Sequence, residues 1–82
     1  MHQTASQRSV VDDENRIDHA ILTLLLNEHS QPWAGEELVR EIGDAIEVTD
    51  SIRRLHAAGL VHRLDQFVFV SRGARRTAAL LE

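Results

Sequence analysis

Apolar residues recur along this chain at spacings that change from helical to strand-like and back. Ile17, Ile21 and Leu24 fall on one face at helical spacing, with Leu22, Leu25 and Leu26 on the sides and back. This predicts a first helix over 13–28 that is apolar nearly all round, so more than one of its sides has to be covered. Asp12 or Asp13 can cap it. Residues 1–12 are polar and aperiodic and read as a disordered tail. A break follows from Asn27 to Pro32, and Pro32 and Trp33 form an extended entry in which Trp33 anchors the next helix. That helix spans 34–42, with Leu38, Val39 and Ile42 inward, Glu36, Glu37, Arg40 and Glu41 outward, and Gly43 as its left-handed cap.

Asp44 and Glu47, three apart, suit the start of a third helix running to Ala58, with Val48, Ile52 and Leu55 as its core stripe. Thr49 is an alternative cap. Gly59 stops the helix. The period then becomes two. Residues 60–64 and 67–71 are β-prone runs separated only by Asp65 and Gln66, which predicts a tight hairpin. Phe67 and Phe69 share a face and read as sheet core. Ser71 can cap a last helix through Leu81, with Ala74, Ala78 and Leu81 inward and Leu80 beside them. The fold class is therefore mainly α with a small antiparallel hairpin, and 13–82 form one domain.

Composition narrows the function. The 82 residues allow one modest core. The absence of cysteine excludes disulfides and thiolate chemistry. No apolar run reaches the roughly 20 residues of a membrane span, and residues 1–15 lack a signal-peptide pattern, so a cytoplasmic protein is expected. His2, His19, His29, His56 and His62 contain no pair at i, i+4 spacing, so no metal site is expected. The four glycines are scattered singly, without a nucleophile turn or phosphate loop, so neither catalytic residues nor a cofactor are expected.

The net charge of −4 hides an asymmetry. Residues 51–81 carry six arginines against Asp65 alone, a net +5. Residues 1–50 carry three against eleven acids, a net −8. A basic half of this kind suggests a polyanion partner. Every basic residue is arginine, which suits forked phosphate and guanine recognition, although GC-rich codon usage produces the same bias. Arg72, Arg75 and Arg76 fit either a solvated face or a backbone or partner contact.

The stretch Glu37-Leu38-Val39-Arg40-Glu41-Ile42-Gly43, followed by Ile52-Arg53-Arg54-Leu55-His56-Ala57-Ala58-Gly59-Leu60-Val61-His62-Arg63, resembles winged helix-turn-helix regulators of the MarR and PadR type. The resemblance covers roughly residues 17–81 and is most specific from Leu55 to Arg63. It implies a DNA-binding transcriptional regulator whose recognition helix (44–58) enters the major groove beside a β-wing (60–71). With Ile52 and Leu55 inward, Glu47, Asp50 and Arg54 are placed on the opposite face and Ser51 and Arg53 at its edges. Arg54 would read guanine, Arg53 would hold phosphate and Ser51 would do either. His62 and Arg63 on the wing, with Gln66 at its tip, would touch the backbone or minor groove. A homodimer on double-stranded DNA is expected, joined through the first helix (Ile17, Leu22, Leu25, Leu26) and the last (Leu80, Leu81). No effector is readable. The sequence departs from the family in Asp44, Glu47 and Asp50, which place carboxylates where phosphate would repel them. The alternative is a winged-helix protein-interaction module whose acidic third helix meets a basic partner.

Overall fold

The computed structural model describes residues 2–27 and 32–81, with side chains from Val10 onward. Its elements run α1 (His2–Asn27), β1 (Trp33–Ala34), α2 (Gly35–Ile42), α3 (Ala45–Ala57), β2 (Val61–Leu64), β3 (Phe67–Val70) and α4 (Arg72–Leu81). The mainly helical class with a small antiparallel sheet is as expected. The sheet has three strands rather than two, in the order β1-β3-β2, because the extended Trp33–Ala34 segment pairs with the hairpin.

The first departure is at the amino end, where the expected disordered tail is helical from His2. No glycine or proline interrupts His2 to Asn27. A helix nucleated by the packed stretch therefore propagates cheaply toward the terminus. Asp12 and Asp13 lie within the helix rather than capping it, and Asp13 pairs with Arg16 at 2.9 Å. Residues 28–31 of the expected break, His29 among them, lie outside the described residues.

The core combines Ile17, Ile21 and Leu25 of α1, Leu38 of α2, Val48, Ile52 and Leu55 of α3, and Val61, Val68, Val70 and Ala74. Leu25 takes the place expected for Leu24, at i+4 from Ile21 and i+8 from Ile17, while Leu22, Leu24 and Leu26 pack half-buried against the cluster. Ile17 and Leu25 are thus consumed by the chain's own core and are not available to a dimer. Among the described residues, no helix is long and apolar enough to cross a membrane.

Capping residues fix the element boundaries. Glu37 Oε1 accepts from the Ala34 N–H at 2.9 Å, and Asp44 Oδ1 accepts from the Glu47 N–H at 3.0 Å. Ser71 Oγ accepts from the Ala74 N–H at 3.1 Å, as expected of that cap. Gly59 leaves α3 at φ 78°, which lets the Leu60 N–H reach the Leu55 carbonyl at 2.9 Å and aims Val61 under the helix. A Cβ at Gly59 would meet nothing within 4 Å, so the penalty for one is purely backbone strain. Gly59→Ala is expected to destabilise the fold by about 1–2 kcal/mol, read as a lower urea midpoint.

Candidate functional site: the outward face of the third helix and the hairpin

Helix α3 buries a stripe broader than the pattern of large apolar residues suggests. Val48, Ser51, Ile52 and Leu55 are all buried, with Ser51 wholly inaccessible. The reason is α1, which lies alongside α3 and covers the flank that carries positions 51 and 54. Ser51 Oγ donates to Asp18 Oδ1. Arg54 grips the same carboxylate through both fork nitrogens, Nη2 to Oδ1 at 2.7 Å and Nε to Oδ2 at 3.3 Å. Its Nη1 donates to Glu14 Oε2 at 3.4 Å. These contacts hold the Arg54 pKa above its ordinary value. The Asp18 hydrogen bond contributes most, and the charges of Asp18, Glu14 and Asp50 add to it against the opposing effect of burial. A raised folded pKa means that this contribution is complete below the ordinary guanidinium range and is lost only as pH rises beyond it. The lock therefore holds arginine charged throughout any accessible pH.

Two expectations are corrected here. Ser51 cannot contact a nucleic acid, and Arg54 faces α1 instead of standing opposite the core. The sequence did carry a signal for this. Glu14 and Asp18 are one turn apart and flank the Ile17–Ile21 stripe, which puts their carboxylates at the edge of the side that packs on the rest of the fold.

What α3 does present outward is Ile46, 74% exposed, with Glu47, Thr49, Asp50, Arg53 and His56. Arg53 Nη1 pairs with Asp50 Oδ1 at 3.4 Å, both ends well exposed, so the pair adds little stability but masks charge.

Beside this face, the hairpin is positioned by the Gly35 N–H, which donates to the Gln66 carbonyl at 2.9 Å. Asp65 takes the left-handed conformation at φ 54°, tolerated by aspartate, and lets Leu64 pair directly with Phe67. A cavity of about 300 Å³ opens between the start of α2, α3 and the turn, lined by Glu36, Thr49, Ile52, Arg63, Asp65 and Gln66. Arg63 and Gln66 thus share a groove with α3. His62 does not join them. It stands opposite Phe69 in the register and packs against it with the rings tilted at 50° and their centroids 5.6 Å apart, whereas Arg63 stands opposite the buried Val68.

The same parity corrects the aromatic pair. Val61 is buried beneath α3 and pairs with Val70, so Val68 and Val70 face inward. Phe67 and Phe69 fall on the outer side of the sheet, 37% and 36% exposed, beside Leu64.

A second cleft, of about 250 Å³, separates α1 from α3. Val10 and Ile17 supply its apolar lining, and Asp13, Glu14, Glu47 and Asp50 its acids. At the far end of the chain α4 exposes Arg72, Arg75 and Arg76 together with Leu80 and Leu81, the last 83% exposed and not inward as its spacing suggested. No family model, curated protein or solved structure matches the chain.

Proposed function

We propose that this chain is a winged-helix binding module, without catalysis of its own, whose third helix meets a basic protein segment rather than duplex DNA. Its element order and the hairpin braced against α3 support the winged-helix reading. The choice of partner rests on one observation. Arg54 is held by Asp18 and Glu14, and Arg53 and Asp50 answer each other, which leaves Glu47 as the charge on the outward side of α3 without an ion-pair partner among the described residues. Phosphate repels such a face, and a basic segment complements it. Exposed Ile46 adds an apolar contact of the kind a protein partner can bury.

Duplex DNA ranks first from the sequence alone, and Arg63 and Gln66 in the groove still favour it. Fluorescence anisotropy with random-sequence and genomic duplexes at about 50 mM salt separates the two. The wild type is expected to bind more weakly than about 10⁻⁴ M, and Glu47→Lys with Asp50→Lys to gain salt-sensitive, sequence-independent affinity. Micromolar duplex binding by the wild type, lost in Arg53→Ala or Arg63→Ala, would refute the reading.

A further inference from the structure

We infer that α4 docks this chain on the surface of an anionic lipid bilayer, with its arginines at the headgroup phosphates and its last leucines at the acyl boundary. The inference goes beyond the reading of α3 and uses none of the residues that carry it.

Helix α4 turns its chemistry outward. Of its ten residues only Ala74 is buried and Ala78 half-buried, while Arg72, Arg75, Arg76, Leu80 and Leu81 all face solvent. Helical spacing gathers the three arginines on the side turned away from Ala74 and Ala78. Among the described residues none of the three has an acid within ion-pair distance, and no acid occurs from Arg72 to Leu81. Leu80 and Leu81 are 74% and 83% exposed. As neighbours in a helix they stand about 100° apart around the axis, so the last turn is apolar on two sides.

An arginine-and-leucine helix complements an acidic protein groove or an anionic bilayer, and the arrangement favours the bilayer. A groove covers one side of a helix. Leucines on two sides are covered together only by a medium that closes around the tip. The axial spacing agrees. Arg75 and Arg76 precede Leu80 and Leu81 by one and a half turns, about 7.5 Å of rise. That matches the roughly 5–10 Å over which an interfacial helix passes from headgroups to acyl boundary. With the carboxyl end tilted down, the guanidinium forks meet phosphate oxygens while the leucines enter. Duplex DNA offers phosphates too, but nothing for the leucines to bury against. The contact is peripheral, since no described helix can cross a membrane. The net charge of −4 opposes approach, but screening limits its reach to about 10 Å at 0.1 M salt, while the arginines act at the surface itself. Two leucines bury little area, so binding is reversible and needs both residue types.

Co-sedimentation of the whole chain with vesicles tests it at about 0.1 M salt. Phosphatidylcholine vesicles containing about one third phosphatidylserine are expected to bind it at least tenfold better than phosphatidylcholine alone. Arg75→Glu with Arg76→Glu is expected to lower that binding at least tenfold, as is salt of about 1 M, where the Debye length is about 3 Å. Leu80→Ser with Leu81→Ser is expected to lower it about fivefold or more while leaving retention on heparin unchanged. All four sites are exposed, and circular dichroism verifies that each variant is folded. The chain has no cysteine, so Leu80→Cys carrying an environment-sensitive dye reports depth directly, and its emission is expected to shift to the blue on anionic vesicles. A folded wild type that ignores anionic vesicles overturns the inference, and so does binding that survives the arginine reversal. Binding that falls with the arginines but not with the leucines, without a dye shift, also overturns it and marks a general polyanion surface instead. None of these outcomes bears on α3 and its basic partner.

Discussion

Leu25→Ala is expected to remove about 3 kcal/mol of folding stability, and Leu81→Ala less than about 0.5 kcal/mol. Both changes delete the same atoms, so the contrast isolates environment. Leu25 is 2% exposed and packs in the central cluster with Ile17 and Ile21, where truncation leaves a cavity that neighbouring helices close only in part. Leu81 is 83% exposed at the end of α4. A domain of this length is worth about 4–12 kcal/mol in total, so the Leu25 change takes away a large share of it. Urea titrations at dilute protein, where association does not contribute, read the two as shifts in midpoint at constant slope. Equal losses from the two changes would mean that α1 is rotated about its axis from the orientation described.

The contrast also marks how far periodicity reaches. Helical spacing located the helices, and the apolar stripe of α3 was right at Val48, Ile52 and Leu55. On α1 it was right at Ile17 and Ile21 but chose Leu24 over Leu25, because six large apolar residues from Ile17 to Leu26 leave the buried side underdetermined. On such a helix the phase is set by its neighbours, here α3 and the sheet. At α4 the spacing put Leu81 inward, but among the described residues it is left 83% exposed at the end of the helix.

The hairpin shows a second limit. The two runs and the two-residue turn were legible in the sequence, and Leu64 pairs with Phe67 as that turn length requires. Which side faces the core was not legible, because both sets on β3, Phe67 with Phe69 and Val68 with Val70, are apolar. The tie-breaker lies outside the strand. Gly59 turns the chain so that Val61 enters beneath α3, and antiparallel pairing then sends Val68 and Val70 inward. In the candidate site, Glu47, Asp50 and Arg53 stand outward as composition and spacing suggested. Ser51 and Arg54 do not, because a small hydroxyl and a long cation look like surface residues until α1 supplies the carboxylate that satisfies both.

That carboxylate gives the second large effect. Asp18→Ala is expected to cost about 2–3 kcal/mol, since it strands two donors at once. Ser51 Oγ is fully enclosed and no buried side-chain polar atom among the described residues now lacks a partner, so the lost hydrogen bond is not replaced by water without opening the α1–α3 contact. Arg54 keeps Glu14 but loses both contacts to Asp18. Its side chain is 33% exposed and that of Asp18 22%, so solvent moderates the ionic share and the hydroxyl carries much of the loss. A double-mutant cycle separates the two. Adding Ser51→Ala to Asp18→Ala is expected to recover about 1 kcal/mol, because removing a stranded donor is better than burying it unpaired. Adding Arg54→Ala is expected to recover less, since a half-exposed guanidinium can turn toward water. Urea midpoints measure Asp18→Ala, the two double variants, and the Ser51→Ala and Arg54→Ala single variants that close each cycle. A loss below about 0.5 kcal/mol for Asp18→Ala would show that α1 does not clamp α3 through this carboxylate. Arg54 would then be free to turn outward, and the acidic character assigned to the outward side of α3 would lose its basis.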